Sequence, residues 1–287
     1  MYDLLIAPFA EFEFMRRALV GAIAVAAGAA PIGVFLMLRR MSLTGDAIAH
    51  GILPGAAIGY LLAGLSLTAM TIGGLVAGML VAMAAAYVSR STILKEDASL
   101  AAFYLVSLAL GVMIVSVRGS NLDLLHFLFG SVLALDGDAV LLLAGIATVT
   151  LAGMAVLFRP LLIDSVDAAF LRQVSRSGTV AYYGFLALAV LNLIGGFHAL
   201  GTLMAVGIMI LPAAAARFWS HAIGVVIAVA LGIAVTSCAL GLLLSYHLDV
   251  ASGPAIILIA GVAYVVSLVF GREGSLLAGR RRVAVLA

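Results

Sequence analysis

Asp46 and His50 stand four residues apart in the run Ser42-Leu-Thr-Gly-Asp46-Ala-Ile-Ala-His50-Gly-Ile-Leu-Pro54-Gly55. On a helix that spacing puts both side chains on one face, about 6 Å apart along the axis. A carboxylate and an imidazole together suit a divalent transition metal. The simpler alternative is a hydrogen bond between them that holds a helix bundle together. Counted from Arg40, the two groups rise roughly 9 and 15 Å along an apolar helix, toward the middle of a bilayer. An ionisable group at that depth costs at least ~2.5–3.5 kcal/mol and normally faces a cavity or a pathway. Gly51, Gly55 and Gly59 form a second stripe, about 100° around the same helix, where small residues allow close helix packing.

The elements that must position this pair are membrane helices. The chain has 287 residues, 65% of them hydrophobic and 10% charged, whereas ordinary soluble domains carry about a quarter charged residues. So few charges cannot cover a soluble surface, and the solvent around most of the chain is lipid. A helix needs about 20 apolar residues to cross the hydrocarbon. Nine runs qualify: 18–38, 44–64, 66–88, 99–117, 138–158, 179–195, 199–217, 221–245 and 253–271. The sixth and seventh are short and are separated by Gly195-Gly-Phe-His198. A further apolar piece, Leu122–Leu135, reads as a half-buried or re-entrant helix.

Charge supports the count. With Arg39 and Arg40 in the cytoplasm, nine alternating crossings put Arg90, Lys95, Arg159, Arg172, Arg176, Arg217, Arg272 and Arg280–Arg282 on the same side. Only Arg16, Arg17 and Arg118 fall on the other. That asymmetry follows the positive-inside rule and places the N-terminus outside and the C-terminus in the cytoplasm. The expectation is one all-α integral membrane domain over residues 1–287, with the hydrophilic stretches Ser89–Ser99, Arg159–Gly178 and the tail after Gly271 all cytoplasmic. Asp3, Glu11 and Glu13 precede any basic residue, unlike a secretory signal, so the first apolar run is expected to stay in the mature protein.

Several function classes drop out. A net charge of +2 gives no reason to expect a nucleic-acid partner, and the lone Cys238 excludes an intrachain disulfide framework or a cysteine metal site. The single lysine, Lys95, lies between Leu94 and Glu96, so no Walker A loop exists and the chain has no standard ATP site. No His-Glu-x-x-His or Cys-x-x-Cys-His motif occurs. Transport against a gradient would need an energy source that the chain does not carry, and the chain is expected not to be an enzyme. His198, at the start of the run 199–217, is either an interfacial histidine or a third metal ligand. His126, His221 and His247 fall near span ends and read as structural.

The run Ser42 to Gly55 resembles the signature of the zinc/manganese/iron branch of ABC-transporter permeases, S-L-x-G-D-A-x-S-H-x-x-L-P-G. Five more stretches match in order: Lys95-Glu-Asp-Ala98; Asp123-Leu-Leu-His126 with Phe129-Gly-Ser131; Asp167-Ala-Ala-Phe170; Gly201-Thr-Leu to Ile210-Leu-Pro-Ala-Ala214; and Leu248-Asp-Val-Ala-Ser-Gly-Pro254. Ala49 and Ala251 depart from the residues common at those places, a small hydroxyl and a proline. The resemblance implies a type II importer-like bundle in a bacterial inner membrane. It implies a permease homodimer, two cytoplasmic ATPase subunits that bind the ATP, and an extracytoplasmic metal-binding protein. It also implies that Asp46 and His50 contact the transported ion, and that the loop around Asp164–Gly178 docks into the ATPase. That loop carries Asp164, Asp167, Phe170, Leu171, Arg172 and Arg176, a composition suited to a short helix that transmits motion.

No permanently bound cofactor is expected. The transported ion would be Zn2+ or Mn2+, with zinc slightly favoured because imidazole nitrogen is a borderline-soft ligand whereas manganese sites lean toward oxygen. The competing expectation is a stand-alone, proton-coupled metal transporter with His50 as the titrating group. A membrane haem or metal oxidoreductase is a weaker alternative, because no repeated histidine pair is present.

Overall fold

The computed structural model describes residues 5–41, 43–64, 66–117, 132–167, 171, 175 and 177–277, and these form helices and connecting turns. In chain order the helices are α1 (Ala7–Glu11), α2 (Glu13–Leu38), α3 (Thr44–Gly51), α4 (Leu53–Ala63), α5 (Leu67–Ser91) and α6 (Glu96–Val117). After them come α7 (Gly137–Val166), α8 (Ser177–Leu200), α9 (Thr202–Ala216), α10 (Ile223–Leu248) and α11 (Ser252–Phe270). Among the described residues eight helical segments, α3 and α4 counting as one, are long and apolar enough to cross a membrane. Helix α9 is apolar but shorter, at 15 residues.

Helix α2 is the centre of the bundle. It packs against α7, α8, α9 and α10, and 72% of its apolar window is buried against 22% for α6 and α7. Its composition explains this. Lipid offers no hydrophobic drive for one helix to leave it for another, so tight contact and dispersion must supply the association. The sequence of α2 is dense in alanine and glycine, and its Gly33 lies so close to the Met209 carbonyl of α9 that a methyl there would overlap it. Larger side chains complete the core from the neighbours, with Phe35 of α2 edge-on to Phe158 of α7 at 5.8 Å between centroids.

Helix α2 ends in a Schellman turn. The Met41 N–H donates to the Leu36 carbonyl at 2.9 Å and the Arg40 N–H to Met37 at 3.2 Å. Arg40 sits at the left-handed position with φ of 61°, a place glycine usually fills. The turn sends the chain directly into α3.

The second expected span is broken at Ile52 into α3 and α4. Pro54 is the cause, since it has no N–H to give the His50 carbonyl and its ring crowds that turn. The glycine stripe then does what its spacing predicts. Gly55 and Gly73 of α5 approach so closely that a Cβ on either would run into the carbonyl oxygen of the other, and Gly59 meets Ala69 in the same way.

Two further expectations change, and a third falls largely outside the described residues. Helix α8 continues through Gly195-Gly-Phe-His198 to Leu200, and the break falls at Gly201, whose φ of 81° is open to glycine but strained for other residues. Helix α7 runs to Val166 rather than to 158, so at 30 residues it extends about 45 Å and outreaches the hydrocarbon. The piece Leu122–Leu135 lies outside the described residues except for its end, where Val132–Ala134 forms one 3-10 turn.

Replacing Gly55 with alanine is expected to destabilise the protein by about 1–3 kcal/mol through overpacking. Gly145→Ala, on α7 with nothing within 4 Å of the added methyl, is expected to be neutral or slightly stabilising. Thermal unfolding of the two variants in detergent checks this, and equal midpoints would rule out the α4–α5 glycine contact as a source of stability.

Candidate metal site on the broken helix

The eight residues of α3 carry Asp46 in the first turn and His50 in the last. A carboxylate near a helix N-terminus complements the helix dipole. The opposite sides of α3 are closed. Ala47, Ile48, Ala49 and Gly51 are buried, and the helix packs against α5, α6, α8 and α9. Asp46 and His50 remain open, with side chains 61% and 39% exposed. This short helix therefore uses its small and apolar faces to pack and leaves one polar face free.

On that face His50 Nε2 lies 3.6 Å from Asp46 Oδ1. The separation is longer than a hydrogen bond. It is close to the roughly 3.0–3.5 Å between two donors that share one ion at about 2.1 Å each. Only a small closure would be needed for both to ligate.

Two residues of α6, not singled out from the sequence, complete the surroundings. The Tyr104 ring lies against the His50 imidazole, with centroids 6.1 Å apart and planes tilted by 34°. Ser107 Oγ donates to the Gly51 carbonyl at 2.8 Å, next to the place where Pro54 withholds a donor. The available signal was a tyrosine and a serine three apart, on one helix face, inside an otherwise apolar run. Nothing in the sequence pairs that face with α3.

Among the described residues no group of three His, Cys, Asp or Glu side chains converges. His198 falls in the last turn of α8, and its side chain lies outside the described residues, as does His126. His221 is 3.0 Å from Glu273 and His247 stands edge-on to Tyr246, so both have partners at helix ends.

The expected coupling loop needs a correction at its first member. Asp164 is not a loop residue: it lies in α7 and forms an ion pair with Arg39 in which the two side chains are 6% and 8% exposed. The reason is the length of α7, which carries Asp164 to the end of α2. Burial lowers the Arg39 pKa from its ordinary value, and the adjacent Asp164 carboxylate opposes that shift. Arg39 also lies over Tyr182 and Phe185 of α8 at 5.4 and 5.5 Å, while Arg90 covers Tyr182 at 3.9 Å. Farther on, the Leu171 N–H donates to the Asp167 carbonyl and the Ser175 N–H to the Leu171 carbonyl, at 3.3 and 2.9 Å. Leu171 is buried. Phe170, Arg172 and Arg176 lie outside the described residues.

The chain as a whole is similar to known proteins. The chain is 32% identical to the manganese import system permease protein ScaB of Streptococcus parasanguinis, over 90% of each chain. It is 30% identical to the chelated iron transport system membrane protein YfeD of Yersinia pestis, over 94% of this chain and 89% of that one. The solved structure of PsaBC from Streptococcus pneumoniae in complex with Fab superposes with a TM-score of 0.81 at 29% identity, covering 99% of this chain and all of the matched one. The model of the ABC 3 transport family matches residues 11–271. The chain is thus a multi-span membrane permease that belongs to the ABC 3 transport family.

Proposed function

We propose that this permease carries a divalent first-row transition metal, manganese or iron, into the cell, with Asp46 and His50 as a transient stop for the ion. The observation that carries the reading is the pair of open donors 3.6 Å apart on the one polar face of a buried, broken helix. Conduction requires capture without trapping. Two donors from each copy, four across a dimer axis, meet that need better than a closed structural site.

The metal preference differs from the one drawn from the imidazole alone. The similar proteins are named for manganese and for chelated iron, and the Asp46 carboxylate supplies the oxygen donor that manganese favours. His198 stays in this reading as a further ligand. The family also argues against a stand-alone proton-driven carrier: ATP is hydrolysed on a separate subunit.

In this reading the permease is a homodimer, each copy one domain crossing the membrane nine times, with α9 completing the count. The N-terminus lies outside, and the end carrying Arg39, Arg90 and Asp164 faces the cytoplasm. There Asp167, Phe170, Leu171, Arg172 and Arg176 dock into the ATPase, while an extracytoplasmic binding protein delivers the ion at the opposite end. ATP binding and hydrolysis rock the two copies, and the Asp46/His50 face opens alternately to the two sides.

The test uses the permease reconstituted with its ATPase and binding protein. Asp46→Ala and His50→Ala are each expected to lower manganese uptake at least about tenfold, with assembly unchanged by size-exclusion chromatography. Uptake at the wild-type rate in both variants would exclude them from the pathway.

A second measurement concerns the ring beside His50. Tyr104→Phe should transport like the wild type, and Tyr104→Ala should raise the KM for metal severalfold, because the ring rather than the hydroxyl orients the imidazole. A Tyr104→Phe defect as large as that of Tyr104→Ala would contradict this.

A further inference from the structure

The buried charges below α3 are more than an anchor. Arg39 and Asp164 are both more than nine-tenths buried, at the ends of α2 and α7. Glu96, the first residue of α6, and Arg90, near the end of α5, belong to the same electrostatic group. A buried ion pair is seldom more stabilising than apolar packing of the same volume, so its presence calls for a role other than stability. The group is also incompletely paired. Arg39 Nε, a donor, and Glu96 Oε1, an acceptor, are both buried and have no hydrogen-bond partner. A free donor and a free acceptor in one cluster mark a second pairing that this conformation does not make.

We propose that Arg39 exchanges partners during transport, holding Asp164 in the conformation described here and Glu96 in the alternative one, so that motion of the segment after α7 reaches the helix carrying Asp46 and His50.

The surroundings suit such an exchange. The Arg39 guanidinium rests over the faces of Tyr182 and Phe185, and attraction to a ring face tolerates sideways movement better than a directed hydrogen bond does. Arg40, next in the chain, holds a left-handed backbone conformation that is strained for a residue with a side chain, a feature found at hinges and switches. Arg39 joins α2 to α3 through that turn, and Asp164 lies one helical turn before Asp167, where α7 ends. The pair therefore ties the root of the segment after α7 to the entry of the pathway helix. Arg39, Asp164 and Glu96 act as positioning residues, remote from the ion.

The inference rests on the proposed importer function for the direction of the motion, and two experiments separate them. In the reconstituted complex, Asp164→Asn should raise ATP hydrolysis without binding protein severalfold and lower the metal moved per ATP. Glu96→Gln should instead lower both uptake and stimulated hydrolysis, because it removes the alternative partner. Arg39→Lys should restore part of the coupling that Arg39→Gln loses. Matching defects in Asp164→Asn and Glu96→Gln, or wild-type coupling in both, would overturn the exchange.

The second experiment leaves the buried groups intact. Spin labels on Arg40→Cys and Val166→Cys, both exposed, flank the pair, and Cys238 is buried away from the reagent. Their separation in the full complex should lengthen on trapping with ATP and vanadate, and an unchanged distance rejects the proposal. A wild-type complex that hydrolyses ATP without moving metal would remove the importer function, while the label distance still decides the exchange.

Discussion

Helix α2 meets its neighbours at backbone distance, and the rest of the bundle depends on that approach. Gly33 against the Met209 carbonyl, and Gly28 against the Asn192 amide, leave no room for a methyl group. In water such contacts would add to a hydrophobic drive that already favours burial. In lipid the drive between helices is absent, and the fit itself must hold them together. With α2 fixed between α7, α8, α9 and α10, both of its ends are fixed too, and one of them leads directly into α3, which carries Asp46 and His50.

The second helix pair repeats the device with a different result. Gly55 and Gly73 lock α4 onto α5, while Pro54 interrupts the hydrogen-bond ladder just ahead of that lock. Ile52 keeps helical dihedrals and its N–H still reaches the Ile48 carbonyl at 3.2 Å, so α3 and α4 stay one span in which Pro54 removes a single rung of the ladder. Ser107 reaches the Gly51 carbonyl across that gap. A short segment clamped on three sides can present two polar groups to an open face without dragging them into the core.

The charged groups divide by the same logic. Asp46 and His50 are open and face each other at a distance suited to a shared ion. Arg39 and Asp164 are closed off and pair with each other, while Arg39 Nε is left without a hydrogen-bond partner. Solvation decides the difference. An exposed pair stays available to an ion that arrives, whereas a buried charge that lost its only partner would be left at a cost of several kcal/mol. Arg39 pairs with Asp164 of α7 at the end of α2, and a single strained turn at Arg40 leads from there into α3, which carries Asp46 and His50.

Much of this was legible in the order of residues. The apolar runs located the helices because a bilayer demands long uninterrupted apolar stretches whatever their partners are. The Asp46/His50 spacing located the polar face, and the glycine stripe located a close contact, because both follow from helical periodicity within one element. Where α8 ends was misjudged: two adjacent glycines at 195 and 196 looked like a linker, yet both are buried in the packed helix, and Gly201 alone adopts the left-handed conformation. Asp164 was misplaced for a related reason, since hydrophilic residues near a span end read as loop. Only the tertiary structure decided that α7 runs on to bring Asp164 to Arg39, 125 residues away in the chain, and that α6 lays Tyr104 beside His50. Pairings between separate helices depend on which faces meet, and a bilayer, apolar on every side, leaves no pattern in a single helix to say which neighbour it will find.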